Sequence, residues 1–411
     1  HYFIKVGDLI MIKNLLIAIS NSLLLHIPGQ SFAQTAEELN QTAMQLLVDG
    51  KLNEAIAEFK KAIKTDSTYV NAYINLGFIY YSSGLLDNAV ALYYKALEIK
   101  PDNPLAHNNL GAALLAAGKP SEAIIEYKVA MKLNPDYPEA HNNLAFAYYS
   151  VGLYDQAITE AQKALEIKPN YVMAYNYLGI SYHMKGMYEE AIANFNKALE
   201  IKPTFVEVIN NLGTTYRIKG MLDKSIELHL SAAKLDSTNS DTFNNLGLAY
   251  LSKGLTHEAI AAFEKVLKIA PRNPIAHNNL SYAYYDVLNY GLAMQHAKAA
   301  ERFGIKINAE FYSDLEKSLD PKYMRVRHIL VTKQSEADSI VKELQKGTNF
   351  ADLASQKSID VNTASKGGDL GYFQKGDLQA EYEKAIETLK VGEISKIVKT
   401  ENGYHIFKRL K

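Results

Sequence analysis

The chain has 411 residues, of which 48% are apolar and 22% are charged, with a formal net charge of -1 and a pI near 6.9. This composition excludes a largely disordered chain, and the near-neutral pI disfavours a general nucleic-acid binder, which requires a basic surface. The sequence contains no cysteine, which excludes disulfides, thiolate metal ligands and cysteine nucleophiles.

Residues 1–33 have the order of segments found in a secretory signal. Lys13 precedes an apolar run over 15–27, and the small residues Ser31 and Ala33 suit cleavage after Ala33. The run is too short and too interrupted for a transmembrane helix of about 20 residues. We therefore expect a protein exported to the periplasm or cell envelope. The alternative is a protein tethered to the membrane by an uncleaved N-terminal segment.

A 34-residue period fills the middle of the chain. Small residues recur at the eighth and twentieth positions of each unit, glycine at the fifteenth position of every unit but the last, and proline near the end of most units. Small residues let two antiparallel helices approach closely, glycine permits a left-handed turn between them, and proline ends the second helix. The units are 36–69, 70–103, 104–137, 138–171, 172–205, 206–239, 240–273 and 274–307.

Over residues 36–307 this pattern resembles the tetratricopeptide repeat family. The resemblance implies an all-α superhelix of eight helix-turn-helix repeats, in which stacking buries what one repeat cannot bury alone. It also implies a concave groove, lined by the first helices, for peptides or protein segments. Lys and Arg are missing from the groove positions that bind a C-terminal carboxylate in some relatives, which disfavours that kind of ligand.

Asparagine recurs at the fifth and sixth positions of the repeats. An amide side chain both donates and accepts hydrogen bonds, so a row of them can hold an extended peptide backbone of any sequence. The alternative is that these residues belong to the packing of the repeats. The predicted groove residues are Asn108, Asn109, Asn142, Asn143, Asn210, Asn211, Asn244, Asn245, Asn278 and Asn279.

Histidine stands at the fourth repeat position in three units, as His107, His141 and His277, where other units have tyrosine, isoleucine or phenylalanine. That exchange pattern indicates helix packing. Stacked helices lie about 8–10 Å apart, whereas zinc requires nitrogens at about 2 Å. We therefore predict no metal site and no cofactor.

The period ends after residue 307, and residues 308–321 are predicted to form a capping helix and linker. The pattern then becomes a strand at 326–331, helices at 335–346 and 350–355, a glycine turn leading into a strand at 367–373, and a helix at 382–389. Two further strands, at 394–398 and 404–408, close the chain as a hairpin. We expect a separate small α+β domain over residues 322–411.

Five motifs in this domain resemble those of the parvulin-type peptidyl-prolyl cis-trans isomerases. They are Arg-His-Ile-Leu-Val from Arg327, Asn-Phe-Ala-Asp-Leu-Ala from Asn349, Gly-Gly-Asp-Leu-Gly-Tyr-Phe from Gly367, Gly-Glu-Ile-Ser from Gly392 and Gly-Tyr-His-Ile from Gly403. The resemblance implies a catalytic set of His328, Asp360 and His405. It further implies a substrate site of Leu370, Phe373, Leu378, Gln379, Tyr382, Thr400 and Asn402.

Some of these assignments leave alternatives open. The two histidines can instead be a buried pair that holds the sheet together, and Asp360 can be an ordinary turn residue. Tyr382 replaces the commoner phenylalanine and adds a hydroxyl to an apolar pocket. The loop from Thr332 to Ser335 lacks the basic cluster of phospho-specific relatives, so a preference for phosphorylated substrates is not expected.

Together these features predict an exported isomerase that acts on X–Pro bonds of unfolded or partner polypeptides held by the repeats. One alternative is a non-catalytic scaffold or chaperone that uses the C-terminal domain as a peptide-binding module. Another is an assembly scaffold with one dominant partner. In each case the partners are polypeptides, and we expect neither nucleic-acid binding nor a membrane span after removal of the leader.

Overall fold

The computed structural model describes residues 34–411, and the predicted export leader therefore lies outside the described residues. The chain divides into two compact units, one ending at Met221 and the other running from Leu222 to Lys411. Within the described residues, no helix is both long and apolar enough to cross a membrane.

Among the residues described, from 34 to 221, the first unit has five antiparallel helix pairs and the first helix of a sixth. Its helices are α1 (Ala36–Val48), α2 (Leu52–Thr65), α3 (Val70–Ser82), α4 (Leu86–Ile99), α5 (Pro104–Ala116), α6 (Pro120–Leu133), α7 (Pro138–Ser150), α8 (Tyr154–Ile167), α9 (Val172–Met184), α10 (Tyr188–Ile201) and α11 (Val206–Ile218).

The second unit contains the remaining repeat helices, a further helix and the C-terminal α+β domain. Its helices before the domain are α12 (Leu222–Leu235), α13 (Ser240–Ser252), α14 (Thr256–Ile269), α15 (Pro274–Asp286), α16 (Tyr290–Arg302) and α17 (Ala309–Leu319). The domain comprises β1 (Met324–Val331), α18 (Gln334–Gln345), α19 (Phe350–Lys357), β2 (Asp369–Phe373), α20 (Ala380–Glu387), β3 (Val398–Thr400) and β4 (Gly403–Arg409).

The repeat columns act as the sequence predicts. The fifteenth-position glycines turn the chain between paired helices with φ between 75° and 80°, a conformation that costs glycine no steric strain. In four repeats the eighth-position glycine lies against a buried aromatic ring of the second helix, as in the contact between Gly179 and Phe195. A β-carbon there would come within 2.4 Å of the ring, which explains the small residue.

The C-terminal sheet has the antiparallel order β2-β1-β4-β3. One face packs on α18 and α19 through a core that includes Ile329, Ile340 and Phe350. The other face carries Val326 and Phe407, which pack with Ile386 of α20. Successive residues of β1 alternate between the two faces, and this alternation decides which side chains reach the candidate site.

Several predicted bounds differ from the structure: β1 begins two residues earlier than predicted, and α19 ends two residues later. The predicted strand 394–398 is mostly irregular: the hairpin strand is β3, and before it only Ile394 bridges to Lys408. Ser395 interrupts the ladder, because both its N–H and its hydroxyl oxygen bond to the backbone of Phe407. The helix predicted over 382–389 begins two residues earlier, at Ala380, and ends at Glu387.

Candidate active site

Strands β1 and β4 bring the two motif histidines together at the centre of the sheet. Leu330 pairs with His405 and His328 pairs with Phe407, so the histidines are diagonal neighbours. His328 Nε2 lies 2.7 Å from His405 Nδ1. The rings stack with centroids 5.0 Å apart, and the residues are only 4% and 1% exposed. The structure thus forms the buried pair that the sequence suggested.

Polar groups lie at both ends of this pair. His405 Nε2 is 2.7 Å from the Thr400 hydroxyl and 3.3 Å from the Tyr382 hydroxyl. At the other end, His328 Nδ1 is 3.5 Å from Asp360 Oδ2, an electrostatic contact rather than a well-formed hydrogen bond. Five residues predicted for the site therefore meet in one network.

Asp360 lies in the loop after α19 and is fixed there by its neighbours. The Thr363 hydroxyl donates to Asp360 Oδ2 at 2.6 Å, and the Asn362 N–H donates to Oδ1 at 3.2 Å. Burial alone would raise the Asp360 pKa, but these hydrogen bonds and nearby His328 hold it below the usual value. The carboxyl group is therefore ionised at neutral pH.

Burial has the opposite consequence for the histidines, because it disfavours their charged form. It lowers the pKa of His328, although Asp360 works against that shift. Burial and the neighbouring His328 lower the pKa of His405 to about 4. Both imidazoles are therefore neutral at pH 7, beside one ionised carboxylate.

A cluster of apolar side chains, which we call the cup, lies next to the histidines on the same face of the sheet. Leu370, Leu378 and Tyr382 are half-buried around the buried side chain of Phe373. The Tyr382 ring contacts the His405 ring at a centroid distance of 4.7 Å. The binding of a proline ring by these side chains stays a prediction.

Two predicted substrate residues lie farther out, with exposed side chains. Gln379 is the residue before α20 and its side chain does not cap that helix. Asn402 lies in the turn between β3 and β4, where its backbone N–H donates to the Thr400 hydroxyl. Their roles at the rim stay predictions.

Sequence reasoning missed two residues that organise the site. Phe407 stacks under His328 at 5.0 Å, and its spacing of two from His405 on one strand was the available signal. Thr363 holds Asp360, but nothing in its local sequence distinguishes it from other loop threonines.

The repeat asparagines form hydrogen bonds between neighbouring repeats, which leaves fewer of them free to bind a peptide in the groove. A sixth-position amide donates to the fifth-position oxygen of the preceding repeat in four pairs, with N–O distances of 2.9–3.0 Å: Asn75–Asn40, Asn143–Asn108, Asn211–Asn176 and Asn279–Asn244. The fifth-position residues Asn108, Asn142 and Asn210 are buried. The other predicted groove asparagines are half-buried, including the fifth-position residues Asn244 and Asn278. Their binding role stays a prediction.

The fourth-position histidines join the two helices of a repeat. His107 and His141 place Nδ1 at 2.6 and 2.7 Å from a glutamate of the second helix, and Nε2 near the carbonyl of the preceding repeat's proline. His277 makes the same proline contact but has His296 in place of the glutamate. The helix-packing interpretation accounts for all of these contacts.

Family models match both the repeats and the C-terminal domain of the chain. Residues 329–411 match the model of the PPIC-type PPIase domain. Tetratricopeptide repeat models match residues 49–84, 79–118, 113–152, 136–204, 194–227 and 240–273.

Among curated relatives, the chain is 48% identical over 99 residues to the foldase protein PrsA of Caldanaerobacter subterraneus, and the match covers 24% of this chain and 32% of that protein. It is 48% identical over 87 residues to PrsA of Bacillus subtilis, covering 21% and 30%, and 47% identical over 91 residues to a parvulin-like PPIase of Rickettsia felis, covering 21% and 32%. The chain thus spans about a third of the length of each of these relatives.

Solved structures agree on the helical repeat fold. A tetratricopeptide repeat protein of Parabacteroides merdae superposes with a TM-score of 0.52 at 20% identity, over 61% of this chain and all but 1% of that one. The Cut9–Hcn1 hetero-tetramer of the APC/C gives a TM-score of 0.54 at 20% identity, over 76% of this chain and 60% of the other.

Proposed function

This chain joins tetratricopeptide repeats to a C-terminal PPIC-type peptidyl-prolyl isomerase domain, and we propose that it is a foldase that isomerises X–Pro bonds in unfolded or partner polypeptides. The observation that carries the proposal is the buried pair of His328 and His405 beside the apolar cup. The repeats would hold the polypeptide while the C-terminal domain acts on its prolines.

The reaction requires no covalent step. Rotation about a peptide bond is opposed by a barrier of about 18–20 kcal/mol because the C–N bond has partial double-bond character. A dry cup that seats the proline ring, with polar groups placed for the twisted amide, binds the transition state better than either planar isomer. Each tenfold increase in rate needs about 1.4 kcal/mol of such preference.

The groups that would supply this preference are neutral donors and acceptors rather than a charged acid or base. The Tyr382 hydroxyl lies at the junction of the cup and the histidine network. Asp360 would fix the orientation of His328 from behind and contribute a negative field. Removing Asp360 is therefore expected to slow the reaction without emptying the cup.

A peptide isomerisation assay on residues 34–411 tests the proposal. We expect Leu378→Ala and Asp360→Asn each to lower kcat/KM for a chromogenic X–Pro–Phe tetrapeptide by on the order of tenfold. Val361→Ala is the matched control, because Val361 is next to Asp360 but 83% exposed. A wild-type rate equal to the uncatalysed rate would refute catalysis. Retained binding of unfolded protein would then favour the chaperone alternative.

We also propose that residues 1–33 direct export, from their charged, apolar and small-residue segments. Expression of the full sequence in a bacterial host, followed by fractionation and N-terminal mass spectrometry, is the test. Mature protein beginning at Gln34 in the envelope fraction is expected. An intact leader in the membrane fraction would support the tethered alternative instead.

A further inference from the structure

A cluster of polar side chains connects the eighth helix pair and α17 to strand β2 of the isomerase domain. Tyr285 comes from α15, Ser318 from α17, Arg325 from β1, and Asp369 and Tyr372 from β2. We call these five residues the clamp. They all lie within the second compact unit.

Arg325 is the centre of the clamp. Its Nε donates to Asp369 Oδ1 and Oδ2 at 3.1 and 3.0 Å, and its Nη2 donates to Oδ2 at 2.5 Å. Its Nη1 donates to the hydroxyls of Tyr285 and, at 3.3 Å, Tyr372. The two tyrosine hydroxyls are 3.1 Å apart, and that of Tyr372 also bonds to Ser318.

The clamp is sheltered from solvent. The Arg325 and Asp369 side chains are 20% and 15% exposed. Burial alone would lower the Arg325 pKa, but Asp369 more than offsets this and raises it, so the guanidinium stays charged at all working pH values. A partly buried and fully bonded ion pair is costly to break on one side, because the remaining charge is left without its partner.

A second contact joins the same elements. Lys411 Nζ donates to the backbone carbonyls of Lys317 and Asp320, at the C-terminal end of α17. Cations are stabilised at this end of a helix, where carbonyl groups lack partners. The isomerase domain is therefore held to α17 at two places.

Strand β2, whose residues bond to Arg325 in the clamp, also forms one wall of the apolar cup. Leu370 and Phe373 of β2 pack into the cup, whereas Asp369 and Tyr372 bond to Arg325. The pairing of β1 with β2 is irregular here: its register shifts between Arg325 and Arg327, and Gly371 of β2 is left-handed, with φ at 76°. Any movement of the clamp residues of β2 would displace the cup residues beside them.

We propose that Tyr285, although it belongs to the repeat array, is a positioning residue for the isomerase site. Acting through Arg325, it holds β2 in the geometry that seats proline. The repeats thereby support the substrate cup in addition to any role in holding polypeptide. This inference rests on the proposed isomerase function, but its structural half can be measured without activity.

The test uses residues 34–411 with Tyr285→Phe, which removes only one hydroxyl. We expect KM for the X–Pro–Phe tetrapeptide to rise about three- to tenfold, with kcat within about twofold of wild type. Amide hydrogen exchange over residues 369–373 should become faster, and the melting temperature should stay unchanged. The Tyr372→Phe variant should behave alike, and the double variant should be no worse than either, because both act through one network.

Tyr284→Phe is the matched control, since Tyr284 is the adjacent residue of α15 but bonds to Glu264, outside the isomerase domain, at 2.7 Å. It should leave KM and exchange over 369–373 unchanged. Unaltered KM and exchange in Tyr285→Phe would overturn the inference, as would a parallel loss of kcat and melting temperature. If wild-type protein is inactive, the proposed function fails, and exchange over 369–373 alone then decides whether Tyr285 supports β2.

Discussion

The two histidines of the site have their protons placed by the groups at the ends of the network. The Asp360 carboxylate can only accept, so we assign the hydrogen of His328 to Nδ1, which faces it. In this assignment His328 Nε2 accepts from His405 Nδ1–H, and His405 Nε2 accepts from the Thr400 hydroxyl. The assigned network of neutral imidazoles suits a site that acts by fixed dipoles rather than by proton transfer.

The depressed pKa of His405 predicts a pH dependence that can be measured directly. The native group titrates near pH 4, whereas an unfolded histidine titrates near 6.5. The unfolded chain therefore binds more protons between these values, so stability is complete above pH 6.5 and falls as the pH drops toward 4. In histidine-labelled protein the NMR signal of His405, identified by its loss in His405→Gln, should stay neutral at pH 5. Titration near 6.5 would contradict the prediction.

Leu288 stands where the other seven repeats have the turn glycine, and it takes the same left-handed conformation, with φ at 61°. A left-handed leucine costs about 1–2 kcal/mol, and its side chain is half exposed, so burial returns little. We expect Leu288→Gly to raise the free energy of unfolding by about 0.5–1 kcal/mol, measured by urea denaturation. Leu288→Ala keeps the β-carbon and should give no gain. Equal effects of the two substitutions would show that backbone strain is not the cause.

At the level of the helix pair, the eighth position and the buried position facing it vary together. Gly77, Gly111, Gly179 and Gly247 face the rings of Tyr93, Tyr127, Phe195 and Phe263, respectively. Where the eighth residue is Ala145 or Ser281, the equivalent positions of the second helix are Ala161 and Ala297. Most pairs thus fill their interhelical space with either one ring or two small groups, whereas the first pair combines Ala43 with the buried ring of Phe59.

This relation predicts a strong coupling between Gly179 and Phe195. Alanine is the better helix former, but its β-carbon would lie 2.4 Å from the fully buried Phe195 ring. The clash outweighs the propensity, so Gly179→Ala should destabilise the chain by on the order of 1–3 kcal/mol in urea denaturation. In the Phe195→Ala background the same change should cost nothing. Additive effects in this cycle would refute the steric explanation.

At the scale of the whole chain, the repeats should matter only for substrates long enough to reach them. Residues 240–411 keep the clamp and the isomerase domain but lack the first six repeats. On a short proline peptide, we expect this truncated chain to match residues 34–411 within about twofold. In the proline-limited refolding of a protein substrate, the longer chain should be about tenfold or more faster, because binding raises the effective substrate concentration. Equal refolding rates would remove the proposed role of the groove.

The sequence predicted the helix pairs and the site network because both are written in regular spacings and local motifs. The clamp escaped prediction because its hydrogen-bonded partners lie 40 to 87 residues apart, and no motif contains both partners of a bond. The asparagines were harder for another reason: positions five and six are adjacent on one helix, so the pattern alone does not say which is buried. The sequence overestimated the length of β3, because the Ser395 side chain bonds to the backbone of Phe407 where a regular strand would continue the ladder.

The asparagine pairs also bear on how such a chain can change its length. Asn142 Oδ1 is buried and has no hydrogen-bond partner among residues 34–411, since the next repeat has Tyr177 at its sixth position. Excision of residues 172–205 would bring Asn211 beside Asn142. Asn142 would then accept the hydrogen bond that Asn176 now accepts from Asn211. One repeat could then be lost while the number of amide pairs stays the same. At this junction between repeats, the amide pairing therefore does not oppose the loss of one repeat.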